Sequence, residues 1–432
     1  MDQNKDENIN DGEIIETSSV KKKRKVNAKT LCLSLTAVLL SCLVTFMTTY
    51  NVMQNAHRRE VAKLAEQYAA VDNTDATMKY IMDLVGAYYY GDTPDWTVDK
   101  DGNDLLYRAY VAALGDDYAA YMSPEEYNSW NESMSGNLVG IGVMVVYTNA
   151  DKTMTVTLVF PDSPAEKAGL CPGDIILSID GKAASDMEYN DAVNSIKGEE
   201  GSTFCLTYER DGKEITAELT RAAVTTQSVI GRMAKDSNIG IVSILQFDQT
   251  TPEQFKSAVD KLISDGATGL VFDVRDNPGG DLESVLSILS YILPNGSTLI
   301  RIISKDGEVQ TREADDEHTI DLPMAVLTNG STASAAELFT SCLRDYGKVK
   351  TVGTTTYGKG CMQSIFVLPN KGALKLTTKM YNPPIGESYH GIGIVPDILV
   401  EMSDENANKH LLLIEEQDDD QLQTAISALL DK

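Results

Sequence analysis

The spacing of apolar residues changes several times along this chain, and each change predicts a different kind of element. Residues 1–20 are polar and acidic, with no apolar face to bury, which predicts a disordered tail. From Thr30 to Met53 the chain is almost continuously apolar, and no Asp, Glu, Lys or Arg falls between Lys29 and Arg58. About 20 helical residues at about 1.5 Å each span a bilayer core of about 30 Å, so residues 30–53 predict one transmembrane helix. Over residues 56–127 the pattern becomes helical. Val61, Leu64, Ala65 and Tyr68 share one face, Met78 to Tyr90 continues the periodicity, and Ser123-Pro124-Glu125-Glu126 is a helix start with Pro first and acids in the first turn.

After residue 128 the pattern shortens to β-type runs separated by turns. Val139 to Val146 reads as a glycine-rich loop feeding a strand, and Met154–Phe160 as a second strand. A short helix over Ala165–Ala168 ends at Gly169, Pro172-Gly173-Asp174 turns, and Ile175–Ile179 forms a strand closed by Asp180-Gly181. A helix near Glu188–Ile196 and strands at Thr203–Glu209 and Glu214–Leu219, joined at Asp211-Gly212, complete the module. This order over residues 128–222 resembles a bacterial PDZ domain. The resemblance implies that Gly140, Ile141, Gly142 and Val143 bind a peptide's terminal carboxylate while the peptide adds as a strand. The plainer alternative is that the glycines only shape a turn.

Residues 223–403 alternate strands and helices: Ile239–Leu245, Pro252–Ser264, Gly269–Val274, Leu282–Leu293, Met324–Thr328 and Ala335–Tyr346. That alternation predicts a layered α/β core with its active residues at the carboxyl ends of strands, where Asn277–Gly280 and Asn329–Ser334 fall. Residues 404–432 read as a tail with an accessory helix or linker.

Composition narrows the function. A formal net charge of −27 excludes a general nucleic-acid binder, which needs a basic face. The basic run Lys21–Lys25 before the apolar span predicts a cytoplasmic residues 1–29, a signal anchor at 30–53 and an extracytoplasmic bulk, placing the protein at the cell membrane. A cleaved signal peptide, and a lipoprotein box at Leu39-Leu40-Ser41-Cys42, are the alternatives. Six scattered cysteines suggest no disulfide framework, and four dispersed histidines suggest no metal site.

The candidate chemistry lies in two segments. Ser334 follows a strand and a small-residue turn and opens a helix, where free N–H groups favour an anion. As an alternative it is an N-cap paired with Glu337 in a capping box. Lys359 stands between Gly358 and Gly360. Such a lysine is ordinarily solvated, but buried beside a serine it loses its proton readily and can act as base. Gln363 could orient that amine if the segment is helical.

Together, DVRDNPGG (273–280), NGSTASAAE (329–337), GKGCMQ (358–363) and GIGIVPD (391–397) resemble the carboxy-terminal processing serine proteases, over roughly residues 75–402. The resemblance implies a crotonase/ClpP-like layered protease core with an inserted PDZ domain. It also implies Ser334 as nucleophile, Lys359 as general base 25 residues later, Gln363 holding the lysine, and backbone amides of Gly280 and Ala335 as oxyanion hole. No metal or cofactor is implied. The implied partners are protein or peptide substrates recognised by their C-termini, and the helical segment makes a homodimer plausible. Cys361-Met362 departs from the family's usual small or aliphatic pair. Two other functions remain: an inactive PDZ scaffold, and an acyl-thioester enzyme of the crotonase type, disfavoured by the PDZ module and export signal. A trypsin-like protease would need a His and an Asp before a Gly-Asp-Ser-Gly site that is absent. Asp273 and Asp276 are expected to tie down the loop and Arg275, and His390 to be structural.

Overall fold

The computed structural model describes residues 101–148, 152–407 and 409–430, and the side chains from residue 104 onward. The expected tail at 1–29, the membrane span at 30–53 and the helical segment up to residue 100 lie outside the described residues. Among the described residues no helix is long and apolar enough to cross a membrane.

Helix α1 (Asp101–Ala112) leads through a turn to strand β1 (Ala120–Met122) and helix α2 (Pro124–Ser135). The segment to residue 127 is therefore not wholly helical. Ser123 accepts the Glu126 N–H while the Glu126 carboxylate accepts the Ser123 N–H, the capping box the sequence suggests. Gly136, at φ 69°, ends α2, and a Cβ there would lie 2.8 Å from the Thr250 side chain.

The chain then leaves the core on β2 (Asn137–Gly140) and returns on β9 (Ala222–Thr225), and these two strands pair antiparallel as a ribbon. Between them lies the PDZ-like module. Its sheet has β3 (Val143–Thr148), β4 (Thr153–Val159), β5 (Ile175–Ile179), β7 (Thr203–Arg210) and β8 (Lys213–Thr220) in that order, with β6 (Lys182–Ala183) on β5. Helices α3 (Pro164–Lys167) and α4 (Tyr189–Ile196) complete it. Met154, Val156, Ile176, Ile179, Leu206 and Tyr208 form its separate core. Asp174, in the Pro-Gly-Asp turn, is buried against Arg210 at 2.6 Å and accepts the Cys171 N–H.

The main sheet orders β10 (Val229–Met233), β11 (Ile239–Ile244), β12 (Gly269–Asp273), β15 (Met324–Thr328), β16 (Val349–Gly353) and β19 (Ile398–Leu399). All neighbours are parallel except β10 with β11. Successive residues of its strands face opposite layers. Leu270, Phe272, Met324 and Val326 join α5 (Thr251–Ser264), α6 (Leu282–Ile292) and α7 (Ala335–Asp345) in one core. Val271, Ala325 and Leu327 join α8 (Asp420–Leu430) in another, through Leu422, Ala425, Ile426 and Leu429. Covering both faces requires the unbroken apolar runs seen in the sequence. The terminal segment is thus part of the core, because the second sheet face has no other helix to cover it among the described residues.

A second sheet orders β1, β18 (Ala373–Asn382), β13 (Thr298–Ser304) and β14 (Val309–Glu313), with β17 (Cys361–Val367) also on β18. Leu299, Ile300 and Ile302 of β13 and Tyr381 of β18 pack into the α6–α7 core.

Candidate active site

Strand β15 is wholly buried and delivers the chain into the turn Asn329–Ala333. The turn is braced internally, since Thr332 Oγ1 receives the Asn329 N–H at 3.0 Å and donates to the Val274 carbonyl at 2.8 Å. Ser334 follows at φ 56°, ψ −117°, a backbone conformation that costs a non-glycine residue about 1–3 kcal/mol. The Ala333 N–H, bonded to the Asn277 carbonyl at 2.9 Å, helps hold it there. Ser334 is half-buried, whereas Ser331 is exposed. The expected capping box is present in its carboxylate half. Glu337 Oε2 accepts the Ser334 N–H at 3.0 Å, but the Glu337 N–H goes to the Ser334 carbonyl at 2.9 Å. The serine hydroxyl therefore does not cap the helix.

Glu337 is fully buried, and its carboxylate joins two segments. Oε2 also accepts the Lys359 N–H at 2.7 Å, while Oε1 accepts the Gly358 N–H at 2.7 Å and the Thr356 hydroxyl at 2.5 Å. A buried carboxylate is tolerated only with such partners. In the sequence Glu337 reads only as a capping residue, because its reach to residues 356–359 is a tertiary property.

The loop Asn277–Gly280 closes against Ser334. A Cβ on Gly279 (φ 97°) would lie 2.7 Å from the Ser334 Cβ and 2.8 Å from the Ala335 nitrogen. One on Gly280 (φ 140°) would lie 2.0 Å from the Phe247 carbonyl oxygen, so only glycine fits. Ala335 is the first residue of α7, and its N–H has no acceptor within the helix. Asn277 fixes the loop, donating to the Ile244 carbonyl and accepting the Gly279 N–H, both at 2.8 Å. Asp276 and Asn329 bond to each other and tie the two loops together. Arg275 is buried and pairs with Asp273 at 2.6 Å and with Asp419 at 2.7 Å. Burial alone would lower its pKa, but the two carboxylates together outweigh burial and drive it upward. Asp273 and Asp276 thus have the anchoring roles expected of them. The link to Asp419 was not legible, since 144 residues separate the partners.

Lys359 follows Gly358, which is at φ 92° and whose Cβ would meet the Gly393 nitrogen at 2.8 Å. The Lys359 carbonyl accepts the Tyr381 hydroxyl at 2.9 Å. Burial pushes the Lys359 amine below its ordinary pKa, and Lys375 acts in the same direction; Cys361, Asp116 and Glu337 oppose it. A helical placement of Gln363 is not what the structure has. Cys361–Val367 is strand β17, where residues two apart share a face. The Gln363 amide nitrogen accordingly donates to Cys361 Sγ at 3.3 Å and Thr377 Oγ1 at 3.1 Å. His390 accepts the Gly360 N–H through Nδ1 at 3.2 Å, a structural contact.

The remaining candidates lie in the PDZ-like module. Gly140 ends β2, Ile141 and Gly142 form the loop, and Val143 begins β3, the free edge of that sheet. A Cβ on Gly142 (φ 77°) would lie 2.4 Å from the Ser163 Cβ. Ile141 is buried, and Val143, Val145 and Tyr147 pack partly into the module's core beside Val193 of α4. The Tyr147 and Tyr189 rings lie 6.0 Å apart, which puts α4 alongside the open edge.

Residues 238–400 match peptidase family S41, and residues 155–210 match the PDZ domain. The carboxy-terminal processing protease CtpA of Bacillus subtilis (strain 168) is 33% identical over 73% of this chain and 66% of its own length. A "Probable CtpA-like serine protease" of Staphylococcus haemolyticus (strain JCSC1435) is 34% identical over 66% of this chain and 58% of its own length. The chain thus spans less than two thirds of the length of these relatives. A solved structure from Bacteroides fragilis NCTC 9343 assigned to the S41 proteases covers 79% of this chain and 92% of its own, at 18% identity and a TM-score of 0.53. That likeness is one of fold. The chain belongs to peptidase family S41, the family of the serine-type processing peptidases it matches.

Proposed function

We propose that this chain is a serine endopeptidase, held at the cell membrane by its amino-terminal apolar segment, that cleaves exported proteins recognised at their carboxy terminus. The observation that carries the reading is the shared carboxylate oxygen: Glu337 Oε2 binds the backbone of both Ser334 and Lys359. A serine in a strained conformation and a lysine with a depressed pKa are thereby held in one constellation.

In this reading the neutral Lys359 amine takes the Ser334 hydroxyl proton as Ser334 Oγ attacks the scissile carbonyl carbon. The Gly280 and Ala335 N–H groups stabilise the resulting oxyanion, an effect worth about 10²–10³ in rate for one donor in a comparable site. As the C–N bond breaks, the Lys359 ammonium gives its proton to the leaving amine. Water, deprotonated by the same amine, then releases the acyl-enzyme. Gln363 acts on the lysine through Cys361, to whose sulfur its amide donates within strand β17. The layered order of sheets and helices is consistent with the crotonase/ClpP-like core that the motifs suggest.

The open edge of β3, ending at the Gly140–Val143 loop, suits a peptide added as a strand with its carboxylate at the loop. The basic run before the apolar span supports a cytoplasmic amino terminus. The test is cleavage of paired peptides that end in a free or an amidated apolar residue. Faster cleavage of the free form, with the preference lost in Gly142→Val, is expected. Equal rates on both forms would remove carboxy-terminal recognition from the account.

A further inference from the structure

The turn between α1 and β1 reaches into the candidate active site, although nothing in its sequence suggests chemistry. Tyr118 lies two residues before β1, and β1 is fastened to β18 with Ala120 opposite Lys375 and Met122 opposite Ala373. The Tyr118 N–H bonds Asp116 Oδ1 at 2.9 Å, which fixes the turn. Its ring then lies with Lys359 Nζ 4.8 Å from the ring centre, inside the range of about 6 Å over which an aromatic face attracts a cation. The centres of the Tyr118 and His390 rings are 6.3 Å apart.

We propose that Tyr118 is a positioning residue for the Lys359 amine, its face stabilising the charged form and so setting how readily the neutral base is released. The inference rests on the reading of Lys359 as general base and adds a group from outside the motif segments. Two effects of one ring oppose each other. The ring's negative face favours the ammonium, while the bulk of the ring keeps water away and disfavours it. The other groups acting on Lys359 are Cys361 on β17, Lys375 on β18, Asp116 in the turn and Glu337 on α7. Tyr118 does not itself titrate in the working range. Burial first, and then Tyr357, Cys361 and Asp117, push its hydroxyl up to about 12.

Substitutions separate the two effects. Tyr118→Leu or Tyr118→Met keeps the bulk without the face, and Tyr118→Phe keeps both. The Lys359 ionisation is read in two ways. One is the pH dependence of kcat/KM on a peptide substrate. The other is the pH dependence of Lys359 acylation by acetic anhydride in the Ser334→Ala background, followed by peptide mass mapping. A cation–π contact of about 0.5–2 kcal/mol, the range from an exposed to a desolvated amine, corresponds to about 0.4–1.5 pH units. Both readouts are therefore expected to move down by about that amount in Leu or Met and to return to the parent value in Phe. An unmoved or upward-moving ionisation in Leu and Met, whatever their kcat, would overturn the role of Tyr118. If Lys359→Ala retained peptidase activity, the general-base reading would fail instead, and acylation would still report on the ring.

Discussion

One oxygen, Glu337 Oε2, receives the backbone N–H groups of both Ser334 and Lys359, so the two segments cannot shift independently. Glu337→Gln keeps the shape but must present an NH₂ group to one pair of these donors. A buried donor facing another donor costs about 1–3 kcal/mol. Glu337→Gln is therefore expected to lower kcat by about tenfold or more, with a similar 1–3 kcal/mol fall in stability by urea unfolding. Parent-like kcat would contradict the coupling. Ser334 alone reads as a helix cap and Lys359 alone as a solvated loop residue, so the pair stands out in the sequence only through the motifs that contain them and their 25-residue spacing. The helical placement of Gln363 was not sound, because nothing local in Cys361-Met362-Gln363 announces that β18 recruits it into a sheet.

The elements that could be read directly were those with the strongest apolar patterns. Strands β12 and β15 are almost wholly buried and α5 carries Phe255, Val259 and Leu262 on one face; these, with β5 and α7, lie within a residue or so of their predicted bounds. Strands β17 and β18 have mostly half-buried residues and lack a clean alternation, so pairing between distant segments defines them. Strand β1 has three residues and exists through its register with β18. Helix α8 was legible as a helix but not as a wall of the core. Its anchor is Asp419, which holds Arg275 below the Asn277–Gly280 loop and accepts the Leu422 N–H at 3.0 Å. Removing one partner of a buried ion pair costs about 3–5 kcal/mol, and somewhat less here because Asp273 remains. Asp419→Ala is expected to lower the urea midpoint by the equivalent of about 2–3 kcal/mol with an unchanged slope. An unaltered midpoint would mean that α8 is held by its apolar face alone.

At the scale of the molecule, the PDZ-like module has its own core and joins the layered α/β core through the ribbon of β2 and β9. The Thr226 N–H closes the base of that ribbon on the Gly136 carbonyl at 2.8 Å. The division into a PDZ-like module and a layered α/β core was readable because the apolar period changes near residue 128 and again near residue 223. The way the segments meet was not, since the Ser334 turn, the Gly279–Gly280 loop, the Lys359 segment and the Tyr118 turn come from four separated parts of the chain. If Ser334 and Lys359 together hydrolyse peptide bonds, an unfolded protein such as casein incubated with the parent chain, Ser334→Ala and Lys359→Ala, each verified as folded, is expected to give fragments with the parent alone. Equal cleavage by Ser334→Ala would contradict this role of Ser334.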